Sequence, residues 1–129
     1  MRTDGIWHPR LSQFITAIGH GELIAVADAG LPVPPGVESI DLLWRRGEPG
    51  LLPVVEALLA ECAVEAATIA DELVDADISS GLTRLLDRIP TEAVSHKHLK
   101  RLTAFARVIV RTGEATPYAN VVLRAGVVF

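Results

Sequence analysis

Two histidines stand where predicted helices end or begin, and their positions suggest acid–base chemistry. His20 follows a predicted helix over residues 10–18, and the negative end of that helix dipole favours the protonated imidazolium. His96 follows Ser95, a good helix N-cap, so the positive dipole end and the ammonium of Lys100 one turn further on both favour a neutral ring. One protonated and one neutral histidine form a workable proton donor and acceptor, although two ordinary surface histidines are an equally good interpretation.

An aspartate at the end of an apolar stretch is the second chemical feature. Every residue from Leu23 to Ala27 is apolar, which is typical of a strand covered on both faces in the centre of an α/β sheet. Ligands of such sheets bind beyond the carboxyl ends of the strands, where Asp28 would lie. Because aspartate before Ala-Gly is also a common turn former, a purely structural role stays open.

Other kinds of reaction find little support in the sequence. It contains no phosphate-binding loop, no dinucleotide fingerprint and no zinc-type cysteine pattern. Neither Cys62 nor the serines at 79–80 have an obvious neighbouring base that would make them nucleophiles. On a helix, His96 and His98 diverge by about 200°, so they cannot chelate one metal ion together. We therefore expect no metal site.

Composition limits the class of protein. The chain has 129 residues, half of them hydrophobic, and a mean hydropathy of +0.35, which suits one domain with part of its surface buried against other subunits. The net charge of −4 argues against nucleic-acid binding, because phosphate contacts need a basic excess. A single cysteine fits a reducing compartment, and the sequence has neither a signal-peptide pattern nor an apolar run of about 20 residues. These features predict a soluble, oligomeric, cytoplasmic protein that binds no nucleic acid and no membrane.

Helical and strand-like segments alternate along the chain, which predicts an α/β fold with helices covering the sheet. The stretch 62–76 is ambiguous, because its Ala, Glu and Leu content favours a helix while the alternation from Val64 to Ala70 also allows a strand. Apolar spacing predicts one long helix over 96–111. The remaining predicted elements are helices over 10–18, 51–61 and 77–89 and strands over 23–27, 37–44, 91–94 and 120–129.

Short motifs in a fixed order along nearly the whole chain carry a family resemblance. They are Gly19-His20, Ala27–Pro32, Ile40-Asp41, Val64–Ala67, Gly113–Asn120 and Ala125–Phe129. On these motifs the chain resembles the D-ribose pyranase / L-fucose mutarotase family. The forms Asp-Ala-Gly-Leu-Pro and Thr-Pro-Tyr-Ala-Asn are similar to the ribose branch, whereas Gly-His-Gly-Glu leans towards the fucose branch.

The resemblance implies a single three-layer α/β/α domain over 1–129 with a mixed sheet, assembled into rings of subunits and commonly into decamers. It makes residues 62–70 a strand, and we follow it there against propensity. It implies a cofactor-free isomerase that interconverts the β-pyranose and β-furanose forms of a monosaccharide, here D-ribose, in support of ribose uptake and phosphorylation. The family's catalytic acid corresponds to His20, and its sugar-contacting residues correspond to Asp28, His96, Lys100, Tyr118, Ala119 and Asn120.

Two alternative functions and one geometric difficulty stay open. The chain could be an L-fucose-type mutarotase, or a non-catalytic sugar-binding or regulatory ring protein that has kept the scaffold. The eight extended steps from His20 to Asp28 span about 26 Å, which is too far for one small sugar to touch both side chains. Either the turn at Gly19–Gly21 curls back and the true strand covers only about Ile24–Ala27, or the two side chains meet at a boundary between subunits.

Overall fold

The structure, a computed structural model, describes residues 1–129 as four helices and six strands. The helices are α1 (Pro9–Ala17), α2 (Leu51–Glu61), α3 (Ala76–Leu85) and α4 (His96–Thr103). The strands are β1 (Leu23–Ala27), β2 (Glu38–Asp41), β3 (Val64–Ala70), β4 (Thr91–Val94), β5 (Ala106–Arg111) and β6 (Val121–Ala125). The longest helix, α2, has 11 residues, and no helix combines the length and the apolar character that a membrane span requires.

All six strands form one mixed sheet in the order β2-β5-β1-β6-β3-β4. β5 pairs in parallel with both β1 and β2, and β3 pairs in parallel with β4. β6 is antiparallel to both of its neighbours, β1 and β3, so the other five strands all point the same way. The ends of β1–β5 and the start of β6 therefore lie at one edge of the sheet, called here the carboxyl edge, and the opposite edge is called the amino edge.

Helices cover both faces of the sheet, as expected for a three-layer α/β/α fold. α1, α2 and α3 pack on one face, against a core that includes Ile24 and Val26 of β1. α4 packs on the other face, where Leu99 meets Ala25 and Ala27. Successive residues of a strand point to opposite faces, so β1 is apolar throughout because both of its faces are buried. The predicted α/β fold with a mixed sheet is confirmed.

The predicted long helix over 96–111 is wrong. α4 ends at Thr103, and after a short turn the chain continues as β5. This strand lies between β1 and β2, and its centre, Val108–Val110, is fully buried. A parallel strand with two buried faces shows no polar alternation, so its sequence resembles that of a buried helix. Its β-branched residues and its pairing on both sides favour the extended form.

Within the ambiguous stretch 62–76, Val64–Ala70 forms strand β3, in agreement with the strand over 62–70 that the family resemblance implies, and the helix that propensity favours is wrong. A helix begins only at Ala76, where the Asp75 carboxylate accepts a hydrogen bond of 3.0 Å from the Ile78 N–H and caps α3. β3 lies between β6 and β4, so ladder pairing on both sides outweighs local propensity. Two predicted strands are shorter than expected, namely those over 37–44 and 120–129, which become β2 and β6.

Candidate active site

Most of the residues predicted for the site lie at the carboxyl edge of the sheet. Asp28 follows β1, His96 follows β4 as the first residue of α4, and Tyr118–Asn120 precede β6. Lys100 is an exposed residue of α4, one turn after His96. Ligands of such sheets bind beyond the carboxyl ends of the strands, where Asp28 was expected. The same edge also carries His96 and the segment Tyr118–Asn120.

Asp28 and Asn120 hold each other in a defined orientation. The Asp28 N–H donates to Asn120 Oδ1 at 2.8 Å, and Asn120 Nδ2 donates to Asp28 Oδ2 at 2.9 Å. The other carboxylate oxygen of Asp28 accepts from the Gly30 N–H at 2.8 Å. Asn120 is only 1% exposed, whereas Asp28 is half-buried, so the remaining lone pairs of the Asp28 carboxylate can accept hydroxyl groups.

The rings of Tyr118 and His96 meet edge to face. Their centroids lie 5.0 Å apart, and their planes are inclined by 74°. Tyr118 has a φ of 63°, a left-handed conformation that costs a bulky residue about 1–3 kcal/mol and is often found at functional sites. The side chain of Tyr118 is partly exposed, while the following Ala119 is fully buried. Tyr118 therefore presents a ring and a hydroxyl group at the carboxyl edge.

Glu72, which lies just after β3, anchors the start of α4. The His96 N–H donates a hydrogen bond that both Glu72 carboxylate oxygens accept, each at 2.9 Å. The predicted N-cap is confirmed, because Ser95 Oγ accepts from the His98 N–H at 3.1 Å. A carboxylate at this position also interacts favourably with the positive end of the helix dipole. Nδ1 of His96 is buried and has no hydrogen-bond partner within the chain, an exception that calls for an explanation.

A cleft of about 250 Å³ opens beside these groups at the carboxyl edge. One wall is the segment that follows β3, and the other is the segment that leads into Tyr118. The six residues that line the cleft are Glu72, Val74, Asp75, Thr116, Pro117 and Tyr118. No three His, Cys, Asp or Glu side chains in the structure are grouped as metal ligands would be.

Glu114 connects the segment that carries Tyr118 to the rest of the fold. Its Oε1 accepts from the Leu51 N–H at the start of α2 (2.9 Å), and its Oε2 accepts from Thr116 Oγ1 (2.9 Å). Its backbone carbonyl accepts from the Ala29 N–H, also at 2.9 Å. Glu114 thereby joins the start of α2, the loop after β1 and the tyrosine segment.

His20 lies at the amino edge, away from the other predicted site residues. Its Nε2 is 2.9 Å from Oε2 of Glu65, and its side chain is 58% exposed. β1 is extended from Leu23 to Ala27, a length of about 16 Å, and separates His20 from Asp28. The interpretation in which the glycine turn curls back to bring these two side chains together is wrong within one subunit. A meeting at a subunit boundary stays a prediction.

A second cleft of about 250 Å³ lies beside His20 at the amino edge. Most of its lining is apolar, and it includes the last residues of the chain, Gly126–Phe129. Val128 is 88% exposed and Phe129 is fully exposed, which is unusual for apolar side chains of this size. Each edge of the sheet therefore has a cleft, and each cleft has part of the predicted site beside it.

The pKa values of Asp41 and Cys62 are shifted by identifiable neighbours, and Cys62 also lines the cleft beside His20. Arg111, at the end of β5, donates to both carboxylate oxygens of Asp41 in β2, at 2.9 and 2.6 Å. Hydrogen bonds from Arg111, and then from Ser39, hold the pKa of Asp41 below its usual value. Burial raises the pKa of the Cys62 thiol, and the charge of Glu61 adds to that effect.

Sequence reasoning missed the contacts that hold the site together. Glu65 and Glu114 occur inside motifs that carry the family resemblance, but no partner was assigned to either. Glu72 was not singled out at all. A carboxylate one or two residues beyond a parallel strand is a signal that could have drawn attention to Glu72.

The chain matches the RbsD / FucU transport protein family over residues 1–128, and it belongs to that family. It is 49% identical to a protein of Symbiobacterium thermophilum named D-ribose pyranase, and the match covers 100% of both chains. It is also 49% identical to a protein of Streptomyces griseus named D-ribose pyranase 2, again over 100% of both.

Solved structures agree with this assignment. The structure of Bacillus subtilis RbsD complexed with D-ribose is similar to this chain with a TM-score of 0.96 and 40% identity, over 100% of both chains. The fucose mutarotase of Streptococcus pneumoniae in complex with L-fucose is similar with a TM-score of 0.80 and covers 96% of this chain and 100% of its own. At 20% identity, the second likeness establishes the fold alone.

Proposed function

We propose that this chain is a D-ribose pyranase, a cofactor-free isomerase that interconverts the β-pyranose and β-furanose forms of D-ribose. The observation that carries the proposal is the 49% identity over 100% of both chains to a protein named D-ribose pyranase. The carboxyl edge agrees with a polyhydroxylated ligand, because the half-buried Asp28 carboxylate keeps lone pairs for hydroxyl groups and the Tyr118 phenol lines the cleft at this edge. Such an enzyme would supply furanose for phosphorylation after ribose uptake.

The reaction requires only proton transfers. In ring opening, O1–H of the anomeric hydroxyl loses its proton to water, the bond from C1 to the ring oxygen O5 breaks, and O5 gains a proton from an acid. In ring closure, O4 bonds to C1 and loses its proton to a base, while O1 regains one from water. Positioned acid–base groups contribute about 10²–10⁴-fold to such steps.

We assign these roles to the residues expected from the sequence. His20 acts as the acid. The sugar hydroxyls contact Asp28, His96, Lys100, Tyr118, Ala119 and Asn120. The Asp28 carboxylate has free lone pairs beside its bonds to Asn120 and Gly30.

The complete site requires two subunits in this proposal. His20 and Asp28 lie at opposite ends of β1, so a sugar can contact both only if the carboxyl edge of one copy faces the amino edge of another. The exposed apolar end of the chain, Val127–Phe129, lies beside the His20 cleft and offers a contact surface for that neighbour. We propose a cytoplasmic homodecamer of single-domain chains, each domain spanning residues 1–129. Its light-scattering mass would be ten times the chain mass of 13.8 kDa.

Magnetisation-transfer NMR tests the activity directly. The exchange rate between the pyranose and furanose signals of D-ribose is measured with and without the protein. We expect clear acceleration by the wild type and by His98→Ala, a matched control at an exposed histidine of α4. We expect none with His20→Ala at unchanged oligomer mass. If the wild type accelerates no exchange of ribose, fucose or related sugars, the chain is a sugar-binding protein and not an isomerase.

The same assay separates the ribose and fucose branches. L-fucose mutarotase activity is the second candidate, and the Gly-His-Gly-Glu motif favours it. We expect acceleration to be greatest with D-ribose, since the relatives with 49% identity are named for that sugar. Greater acceleration of L-fucose interconversion would assign the chain to the other branch.

A further inference from the structure

We propose that Glu65 is a positioning residue for His20, holding the imidazole with its proton on Nε2 and leaving Nδ1 to exchange protons with the sugar. This inference rests on the acid role proposed above for His20. Its basis is the contact of 2.9 Å between His20 Nε2 and Glu65 Oε2, which joins residues 45 positions apart.

The chemistry of the pair sets the proton positions. An ionised carboxylate has acceptors only, so in this contact Nε2 carries the hydrogen and donates it. In a neutral imidazole with Nε2–H, the lone pair lies on Nδ1. Nδ1 of His20 forms no hydrogen bond within the chain, and more than half of the side chain is exposed. The carboxylate therefore directs the reactive nitrogen away from the protein.

The backbone is shaped to present Glu65. The register of β3 against β6 shifts between Val64 and Ala66, so Glu65 is the extra residue of a β-bulge. Bulges re-aim side chains and are common beside active sites. Gly126 lies against Glu65, and a Cβ there would be only 3.2 Å from Glu65 Cβ.

The loop that carries His20 is hydrogen-bonded to the end of β6, next to Glu65. The Gly21 N–H donates to the Ala125 carbonyl at 2.8 Å, and the Ala125 N–H donates to the Glu22 carbonyl at 2.9 Å. The Glu22 carboxylate accepts from the Gly19 N–H at 2.8 Å. The loop of His20 and the bulge of Glu65 are thus both held by the backbone at the end of β6.

This arrangement lets one histidine serve both halves of the reaction. The imidazolium, with its Nε2–H bound to Glu65, gives its Nδ1 proton to O5 as the bond from C1 to O5 breaks, and O1 gives its proton to water. The ring is left neutral with Nε2–H still bound to Glu65. Nδ1 then takes the proton of O4 as O4 bonds to C1, while water returns a proton to O1, so the histidine ends in its starting state.

The pair contributes little to stability, which makes a clean test possible. Its side chains are 58% and 40% exposed, and ion pairs of this kind contribute little to folding. Glu65→Gln keeps the size of the side chain against Gly126, but its amide can donate as well as accept and no longer enforces Nε2–H. Glu56→Gln, at an exposed glutamate of α2, is the matched control.

Two readouts test the inference. Histidine-selective ¹⁵N NMR, with the signal assigned from His20→Ala, should show Nε2 protonated in the wild type and in Glu56→Gln. Glu65→Gln and Glu65→Ala should show a mixture of tautomers at unchanged oligomer mass. In the ribose assay, both Glu65 variants should lower kcat at least about tenfold with KM changed less than about twofold, in line with the loss of a partner that orients a catalytic imidazole.

The outcomes separate this inference from the proposed activity. Unchanged tautomers, or unchanged kcat in both Glu65 variants, would overturn the positioning role. A wild type that shows the Nε2–H form but accelerates no sugar exchange would overturn the proposed function, because the tautomer measurement needs no activity.

Discussion

Replacing Glu114 by alanine should destabilise the fold and weaken sugar binding together. α2 begins after Gly50, which has no side-chain cap, and its first turn contains no acidic residue. The Glu114 carboxylate, 63 positions further along the chain, provides the missing cap by accepting a hydrogen bond from the Leu51 N–H. Glu114 is therefore the only side chain that both caps α2 and braces the tyrosine segment through Thr116.

The size of the effect follows from the groups that lose a partner. Leu51 is fully buried, so its N–H is left unsatisfied at a cost of about 1–3 kcal/mol. Loss of the charge at the helix N-terminus adds about 0.3–1 kcal/mol. We expect Glu114→Ala to lower the free energy of unfolding by about 1–4 kcal/mol. Glu114→Gln keeps one acceptor for the Leu51 N–H and should lose about 1 kcal/mol or less.

Urea unfolding followed by circular dichroism, at one fixed protein concentration, measures this difference. The ribose assay should show a higher KM for Glu114→Ala, since Tyr118 and Asn120 are carried by the loosened segment. An alanine variant as stable as the glutamine variant would refute the capping role. An unchanged KM at reduced stability would show that the segment keeps its position without Glu114.

Three further predictions concern other parts of the chain. Because Arg111 lowers the pKa of Asp41, the pair stabilises the fold above the usual aspartate pKa of 3.8 and loses that contribution as the pH falls through the lowered value. With the Asp41 side chain 45% exposed, Asp41→Asn should cost no more than about 1 kcal/mol at pH 7, and urea unfolding should show this difference shrinking as the pH falls below 3.8 and Asp41 becomes protonated. A difference that stays the same in acid would contradict the assignment. Iodoacetamide should alkylate Cys62 several-fold more slowly than it alkylates the urea-unfolded chain at pH 8, since burial raises the thiol pKa, and equal rates would show that the thiol is not protected. Gly113→Ala should destabilise the fold by about 1–3 kcal/mol in the same unfolding assay, because a Cβ there would lie 2.6 Å from backbone atoms of Glu48, and wild-type stability would mean that this loop can move aside.

Much of the fold can be predicted from local pattern. β1 is apolar at every position, α2 has regular apolar spacing, and Ser95 is a cap residue before a helix, and all three appear in the structure as predicted. Each of these features depends on neighbours within a few residues along the chain. β5 was misjudged from pattern because a strand inside a mostly parallel sheet can be apolar on both faces, and only its pairing partners distinguish it from a helix. For β3, the Ala, Glu and Leu content favoured a helix, and pairing with strands on both sides decided for the extended form.

The sequence by itself also determined which residues to examine, since His20, Asp28 and the segment Tyr118–Asn120 stand in recognisable motifs. Only the tertiary structure decided that Asp28 and Asn120 meet at the carboxyl edge while His20 lies at the amino edge. The contacts that orient these groups join residues 24 to 92 positions apart, such as Glu72 to the His96 N–H and Asn120 to Asp28. Strand order and direction set such contacts, and these are properties of the whole sheet, which no short stretch of sequence contains.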